Sequence, residues 1–373
     1  MTTKGVATVG LAGEPAVTAE LRAGDRPYAP SWVDVLTRWI DRLPGPTWVA
    51  YAAIAVFALL WTNLEGAMAG LDWFDPVQSS YAFYFVFPLA LVHYLDRVAG
   101  RAWDRFRPAT NLDDREAAHV RYRLTVTPAR PAAVLLALGY AITLAEYAAD
   151  PEGNGISGNP LAYVLLRAIA EGLIAAIVFV LAFHTFRQLR IVSQLHASAI
   201  RVNLFQPGAL HAMSQLTGRS AIGIIILAVF IGVPYPGTSD QAWLTTTFVS
   251  ALPLIGVALA AFIIPLRGLH DRLAAERSRL LDDVSGRLET ALAALHRAIE
   301  REAANESDPG VSGTSNTRID ALSKAQQSLM QEREFIARLS TWPWDPGTLR
   351  AVVSAIALPV AIWLLTRGLS RFI

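Results

Sequence analysis

Seven apolar stretches, at about 47–64, 77–95, 131–147, 161–186, 219–235, 244–266 and 348–368, alternate along the chain with short polar or basic segments. Each approaches the roughly 20 residues that a helix needs to cross a hydrocarbon layer, and the fifth is short enough to dip into the bilayer or thin it locally. The pattern predicts an all-α, polytopic helical membrane protein with about seven transmembrane helices, because only helices satisfy every backbone group in lipid without pairing to another segment.

The connecting loops set an orientation. Residues 65–80, 148–160 and 234–243 contain no Lys or Arg, whereas the loops between them carry Arg97, Arg101, Arg105, Arg107 and further arginines up to Arg130, and then Arg187 to Arg219. Basic residues are retained on the cytoplasmic side, so the amino terminus and residues 267–347 are expected inside a cytoplasmic membrane. An odd number of spans leaves Arg367 and Arg371 outside, the one break in the alternation.

Two segments show helical periodicity without span-like hydrophobicity. In 31–46, Trp32, Leu36, Trp39, Ile40 and Leu43 recur at helical spacing while Asp34, Arg38, Asp41 and Arg42 fall largely opposite, which predicts an amphipathic helix lying at the interface, with Ser31 as its N-cap. In 267–340, Leu273, Leu280, Val284, Leu288, Leu292 and Leu295 form one stripe, and Ile319, Leu322, Leu329 and Ile336 repeat it beyond the turn-like "NESDPGVSGTSNT". Since the chain must return to the membrane, the economical structure is a cytoplasmic antiparallel coiled-coil hairpin between spans six and seven. About 34 residues beyond Leu266 project it roughly 50 Å at 1.5 Å per residue. Trp342 and Trp344 then suit the headgroup layer, so 341–373 reads as an interfacial turn and a last span. Residues 1–30 are polar and expected to be a disordered, uncleaved tail, and 47–266 the six-span bundle.

Composition sharpens this. Of 373 residues 53% are hydrophobic and only 17% charged, with mean hydropathy +0.36. The net charge of +1 argues for no nucleic-acid or other polyanionic partner. Anionic lipid headgroups are the expected partners of the Arg97–Arg130 loop. No cysteine is present, which removes disulfides, thiolate metal sites and Cys nucleophiles. Lysine occurs only at 4 and 324, an Arg- and Ala-rich composition that points to a prokaryotic genome.

The candidate chemistry is confined to a few polar groups in apolar surroundings. Arg167 and Glu171 are four residues apart inside the fourth stretch, hence on one helix face and able to pair, with Glu146 expected to approach from the third. This intramembrane network is readable as an interhelical clamp or as a gate, relay or counter-ion. His93, Asp96, His184 and His211, with His270 nearby, all fall towards the cytoplasmic side. They form a candidate polar cluster, but without the HxxH or HExxH spacing of a metal site no metal or cofactor is expected. The segment 201–219 reads as a short interfacial or re-entrant helix. Phosphate loops, nucleophile elbows and a catalytic carboxylate pair on a common helix are not found in the sequence, so the protein is not expected to be an enzyme. Two functions fit: a signalling, adaptor or scaffold module acting through the hairpin by binding a protein partner or itself, or a channel or transporter built on the Arg167–Glu171 network.

Overall fold

The computed structural model describes residues 23–198, 207–232, 241–304, 312–342, 344 and 346–369. They are helical almost throughout. The helices are α1 (Trp32–Arg42), α2 (Thr47–Met68), α3 (Pro76–Phe106), α4 (Asp114–Thr125), α5 (Ala129–Ala149), α6 (Leu161–Ser198), α7 (Pro207–Gly232), α8 (Gln241–Ala304), α9 (Ser312–Arg338) and α10 (Pro346–Leu369).

Among the described residues five helices, α2, α3, α5, α6 and α7, are long and apolar enough to cross a membrane. Five is fewer than the seven read from hydropathy. The other two stretches, 244–266 and 348–368, lie on α8 and α10, where most side chains fall outside the described residues. The burial pattern supports a lipid surround. Trp48, Val56, Phe57 and Leu60 on α2 and Val134, Leu138 and Leu144 on α5 are exposed, an apolar belt far larger than a water-facing surface normally carries.

α3 is the central element. Leu89, Val92, Leu95, Ala99, Trp103 and Phe106 run down it and are buried with Ile177, Val180 and Val192 of α6 and with Met213 and Leu216 of α7. α5 and α6 pack on each other, and small residues let them approach closely: a Cβ on Gly139 would lie 2.7 Å from the Ala176 nitrogen and 2.8 Å from the Gly172 carbonyl.

Three expectations change here. The segment 207–219 is not a separate interfacial helix but the first half of α7. Ala212, Met213 and Leu216 are buried, and the intervening hydroxyls of Ser214, Thr217 and Ser220 donate back to the carbonyls of His211, Ser214 and Leu216. Returning each hydroxyl to its own helix makes a polar-looking stretch compatible with a dry core. Residues 201–206 lie outside the described residues. The loop expected up to Thr317 ends earlier, since α9 begins at Ser312. The polar tail expected over 1–30 is ordered in its last part, while 1–22 lie outside the described residues. Ala29 and Ser31 exchange backbone hydrogen bonds with Ala129 and Thr127 (3.0 Å each), and Asp25 pairs with Arg115 at 3.3 Å.

α8 is one unbroken helix of 64 residues. Its Leu269 and Leu273 belong to the same core as Trp103 and Phe106, so it leaves the bundle on the side that carries the basic loops. α9 packs along it. Leu273, Val284 and Ile336 are buried, while Leu280, Leu288, Leu292, Leu295, Ile319, Leu322 and Leu329 are half-buried. The base of this pair is fastened twice. Arg277 donates to the Leu339 carbonyl (3.2 Å) and His270 Nδ1 to that of Thr341 (3.1 Å). The His270, Trp342 and Trp344 rings stack in sequence, with centroids 3.9 and 4.3 Å apart, and Trp344 stacks in turn on Phe262 at 5.4 Å.

Candidate functional site

The histidines and carboxylates on the basic side form two separate relays. In the first, His184 of α6 is completely buried (0% exposed). Its Nε2 donates to Asp96 Oδ1 of α3 at 2.6 Å and its Nδ1 accepts from the Thr127 hydroxyl at 2.7 Å. Gln188, one turn along α6, donates to Asp96 at 3.3 Å and to the Leu124 carbonyl at 2.8 Å. The Thr127 backbone N–H donates to both carboxylate oxygens of Asp34 (3.2 and 3.1 Å), which also receives the Ser31 N–H (2.8 Å) and hydroxyl (2.5 Å). Helical spacing puts Asp34 on the polar face of α1; it is instead buried, because a capping carboxylate serving two chain segments at once must face the protein. A chain of hydrogen bonds thus runs from α1 through the α4–α5 turn to α6 and α3.

In the second relay, His93 Nε2 donates to Asp41 Oδ2 at 3.1 Å and His93 Nδ1 accepts from Tyr51 at 2.9 Å. Arg97 bonds the other Asp41 oxygen and also donates to Thr47 at 2.9 Å. His93 and Asp96 are therefore neighbours on α3 that serve different partners. His211 joins neither relay through any described side-chain bond. Among the described residues no three His, Asp or Glu side chains converge as metal ligands. Thr127, His184 and Asp96 have the order of a hydroxyl, base and carboxylate set, but with Thr127 and His184 both at 0% exposure the arrangement offers a substrate no access.

Outside the spans the same region holds Tyr28, whose hydroxyl donates to the Val126 carbonyl (2.9 Å). It also accepts from Arg187, whose guanidinium lies over the ring at 5.0 Å. Tyr122 donates to the Tyr28 carbonyl at 2.8 Å. Burial pushes the Tyr28 phenol up from 10.0 to about 12, against the opposing pull of Arg187, and burial also raises Tyr122. A raised phenol keeps its proton in the folded chain after the unfolded chain has lost it. The stability it contributes is whole below pH 10 and declines between about 10 and 12. Tyrosinate absorbance during an alkaline titration should lose one of its late-titrating phenols in Tyr28→Phe; an unchanged titration curve in Tyr28→Phe would contradict this.

The second polar centre sits towards the opposite face. Arg167 Nε donates to Glu171 Oε1 at 2.9 Å and its NH1 group to the Tyr163 hydroxyl at 2.5 Å, while Tyr147 of α5 donates to Glu171 Oε2 at 2.7 Å. Glu146 is exposed, one position away from the inward-facing Tyr147, and takes no described part in this group. The carboxylate that approaches from a neighbouring helix is Glu65 of α2. It is 4% exposed and within electrostatic reach of both Arg167 and Glu171, and its Oε1 has no hydrogen-bond partner. The sequence signal for Glu65 was its place at the polar end of an apolar stretch, which reads equally well as the start of a loop. Asn63, beside it, bonds Ser79 of α3 at 3.0 Å and fixes that end of α2.

Comparison with protein-family models, curated proteins and solved structures returns no match to this chain. Geometry therefore carries the functional reading. What the geometry gives is a helical membrane bundle with one sealed hydrogen-bond chain on its basic side and one charged centre near the other.

Proposed function

We propose that the protein is a seven-span membrane scaffold or adaptor, amino terminus inside, whose α8–α9 pair is a cytoplasmic hairpin that engages a protein partner or a second copy of the chain. The observation that carries this is the continuity of α8. A single helix runs from Gln241 to Ala304, its Leu266, Leu269 and Leu273 are buried in the bundle, and α9 packs along it. Any shift of packing around Leu269 is therefore carried as a rigid-body tilt to an arm extending about 50 Å beyond Leu266 at 1.5 Å per residue. Two helices bury a stripe incompletely, and seven of its seam residues are only half-buried, which favours a further helix or copy packing there.

A second reading, a channel or transporter, draws on one observation, the unpartnered Oε1 of buried Glu65 beside Arg167 and Glu171.

The adaptor reading is tested by in-membrane crosslinking with mass spectrometry. The intact chain is compared with one in which residues 281–333 are replaced by a short Gly/Ser linker, a change that spares Leu273, Leu280, Ile336 and the Trp342 stack. Crosslinks to specific partners or between copies are expected in the intact chain and lost in the shortened one. Identical crosslink profiles would exclude the reading.

A further inference from the structure

We infer that Arg101, Arg105 and Arg219, with Gln215, form a binding site for a phosphate-bearing anion between α3 and α7. These side chains line one cavity of about 60 Å³ together with Ala102 and Ala212. The space exceeds several-fold the 10–15 Å³ or so that one water requires. A tetrahedral oxyanion is of that size.

Several arginines near this place are already neutralised. Arg97 is neutralised by Asp41, Arg107 by Asp114, Arg115 by Asp25 and Arg121 by Asp104. Arg101, Arg105 and Arg219 have no carboxylate partner among the described residues. Arg101 donates only to the Arg97 carbonyl at 3.2 Å, and Arg219 rests over the Tyr94 ring at 5.9 Å. Three guanidiniums gathered at one cavity repel one another, and an anion bound between them reverses the sign of that interaction. Their planar forks match phosphate oxygens in pairs, and Gln215 supplies an uncharged donor.

The depth of the site fits a headgroup. α3 and α7 run antiparallel, with Tyr84 bonded to the Phe230 carbonyl and Leu91 against Gly223. Twenty residues from Pro76 cover the roughly 30 Å of hydrocarbon and end near Leu95. Arg101 and Arg105 lie one to three turns past that boundary. Arg219, at the level of Tyr94, reaches out from just inside it. The shared chemistry is thus an anionic phosphate, carried by a lipid headgroup or free in solution.

The full-length protein in phosphatidylcholine nanodiscs separates the sources. Phosphatidylglycerol is introduced and its retention read by native mass spectrometry; inorganic phosphate is titrated separately and read by the thermal midpoint. We expect wild type to retain phosphatidylglycerol, and Arg101→Gln/Arg219→Gln to weaken that retention about ten- to a hundredfold, the worth of one or two charge-assisted hydrogen bonds. Arg130→Gln, which removes one exposed charge from the same face, should leave it unchanged. Protection by inorganic phosphate that also displaces the lipid assigns the site to free phosphate; retention of lipid without such protection assigns it to the headgroup. Arg101→Lys/Arg105→Lys keeps the charge and is the variant to rely on if the glutamine pair does not fold. It should weaken binding at least several-fold because the fork is lost. Wild-type affinity in the lysine pair, equal losses in the glutamine pair and Arg130→Gln, or no binding of either probe to wild type would overturn the site. None of these results depends on the role of α8 and α9.

Discussion

Replacing His184 with leucine is expected to destabilise the bundle by about 3–5 kcal/mol, the usual cost of leaving a buried charge, here the Asp96 carboxylate, without its partner. The residue is fully buried and holds Asp96 at 2.6 Å on one side and Thr127 at 2.7 Å on the other. Leucine fills much of the space but leaves the Asp96 carboxylate with only the longer bond from Gln188, at 3.3 Å. It also leaves the Thr127 hydroxyl without its acceptor. The variants divide the effect. Thr127→Val removes one neutral hydrogen bond and should cost about 1–3 kcal/mol. His184→Leu with Asp96→Leu removes the stranded charge as well and should recover much of the loss, as apolar replacements of buried ion pairs often do. Reversible unfolding in detergent or nanodiscs measures all three. A His184→Leu protein with wild-type stability would mean that the relay contributes nothing to the fold, and a double variant no better than the single one would mean that packing, not the stranded carboxylate, sets the cost.

This relay illustrates what the sequence could and could not convey. Period and hydropathy placed the starts of α2, α3, α5 and α6 within two residues, because a span must be apolar along its whole length and that constraint is local, while α3 and α6 run on past their apolar stretches to Phe106 and Ser198. The start of α7 escaped because Ser214, Thr217 and Ser220 look polar in sequence and are not polar to their surroundings once each hydroxyl is bonded within its own helix. Partner choice was the least legible property. His93 and Asp96 are three residues apart and read as one cluster, yet they face α1 and α6 respectively; a difference of one turn fraction on α3 decides it, and the neighbouring helices that make the decision are set by tertiary packing. Asp34 failed for a related reason. An N-terminal carboxylate at the third helical position is expected to cap, but nothing local states that a segment 93 residues away will bring its own N–H to the same carboxylate.

Removing the Arg167 side chain is the second change expected to be severe, on the order of 3–5 kcal/mol, and it also bears on the choice between clamp and pathway. Arg167 acts on two carboxylates from different helices, pairing with Glu171 at 2.9 Å and lying within electrostatic reach of Glu65. Arg167→Ala leaves both in low-dielectric surroundings with only the Tyr147 hydroxyl, at 2.7 Å, to hold Glu171. Glu171→Gln should be milder, since Arg167 keeps its bond to Tyr163 and an amide oxygen still accepts. Arg167→Met with Glu171→Leu should regain most of the stability if the pair is a clamp, because the clamp's only task is to join α6 to its neighbours. Glu65→Gln separates the two readings. Its Oε1 has no hydrogen-bond partner, so losing the charge relieves desolvation and should leave the protein as stable or more so. A conduction pathway needs that ionisable group in place. We expect proteoliposomes of wild type and Glu65→Gln to show the same ion and solute flux as protein-free vesicles, with the Arg167 variants differing from them only in stability. Flux above that background in wild type, abolished by Glu65→Gln without loss of folded protein, would replace the adaptor reading by transport, since a buried carboxylate with one oxygen unpartnered would then be retained for what passes it and not for what it holds.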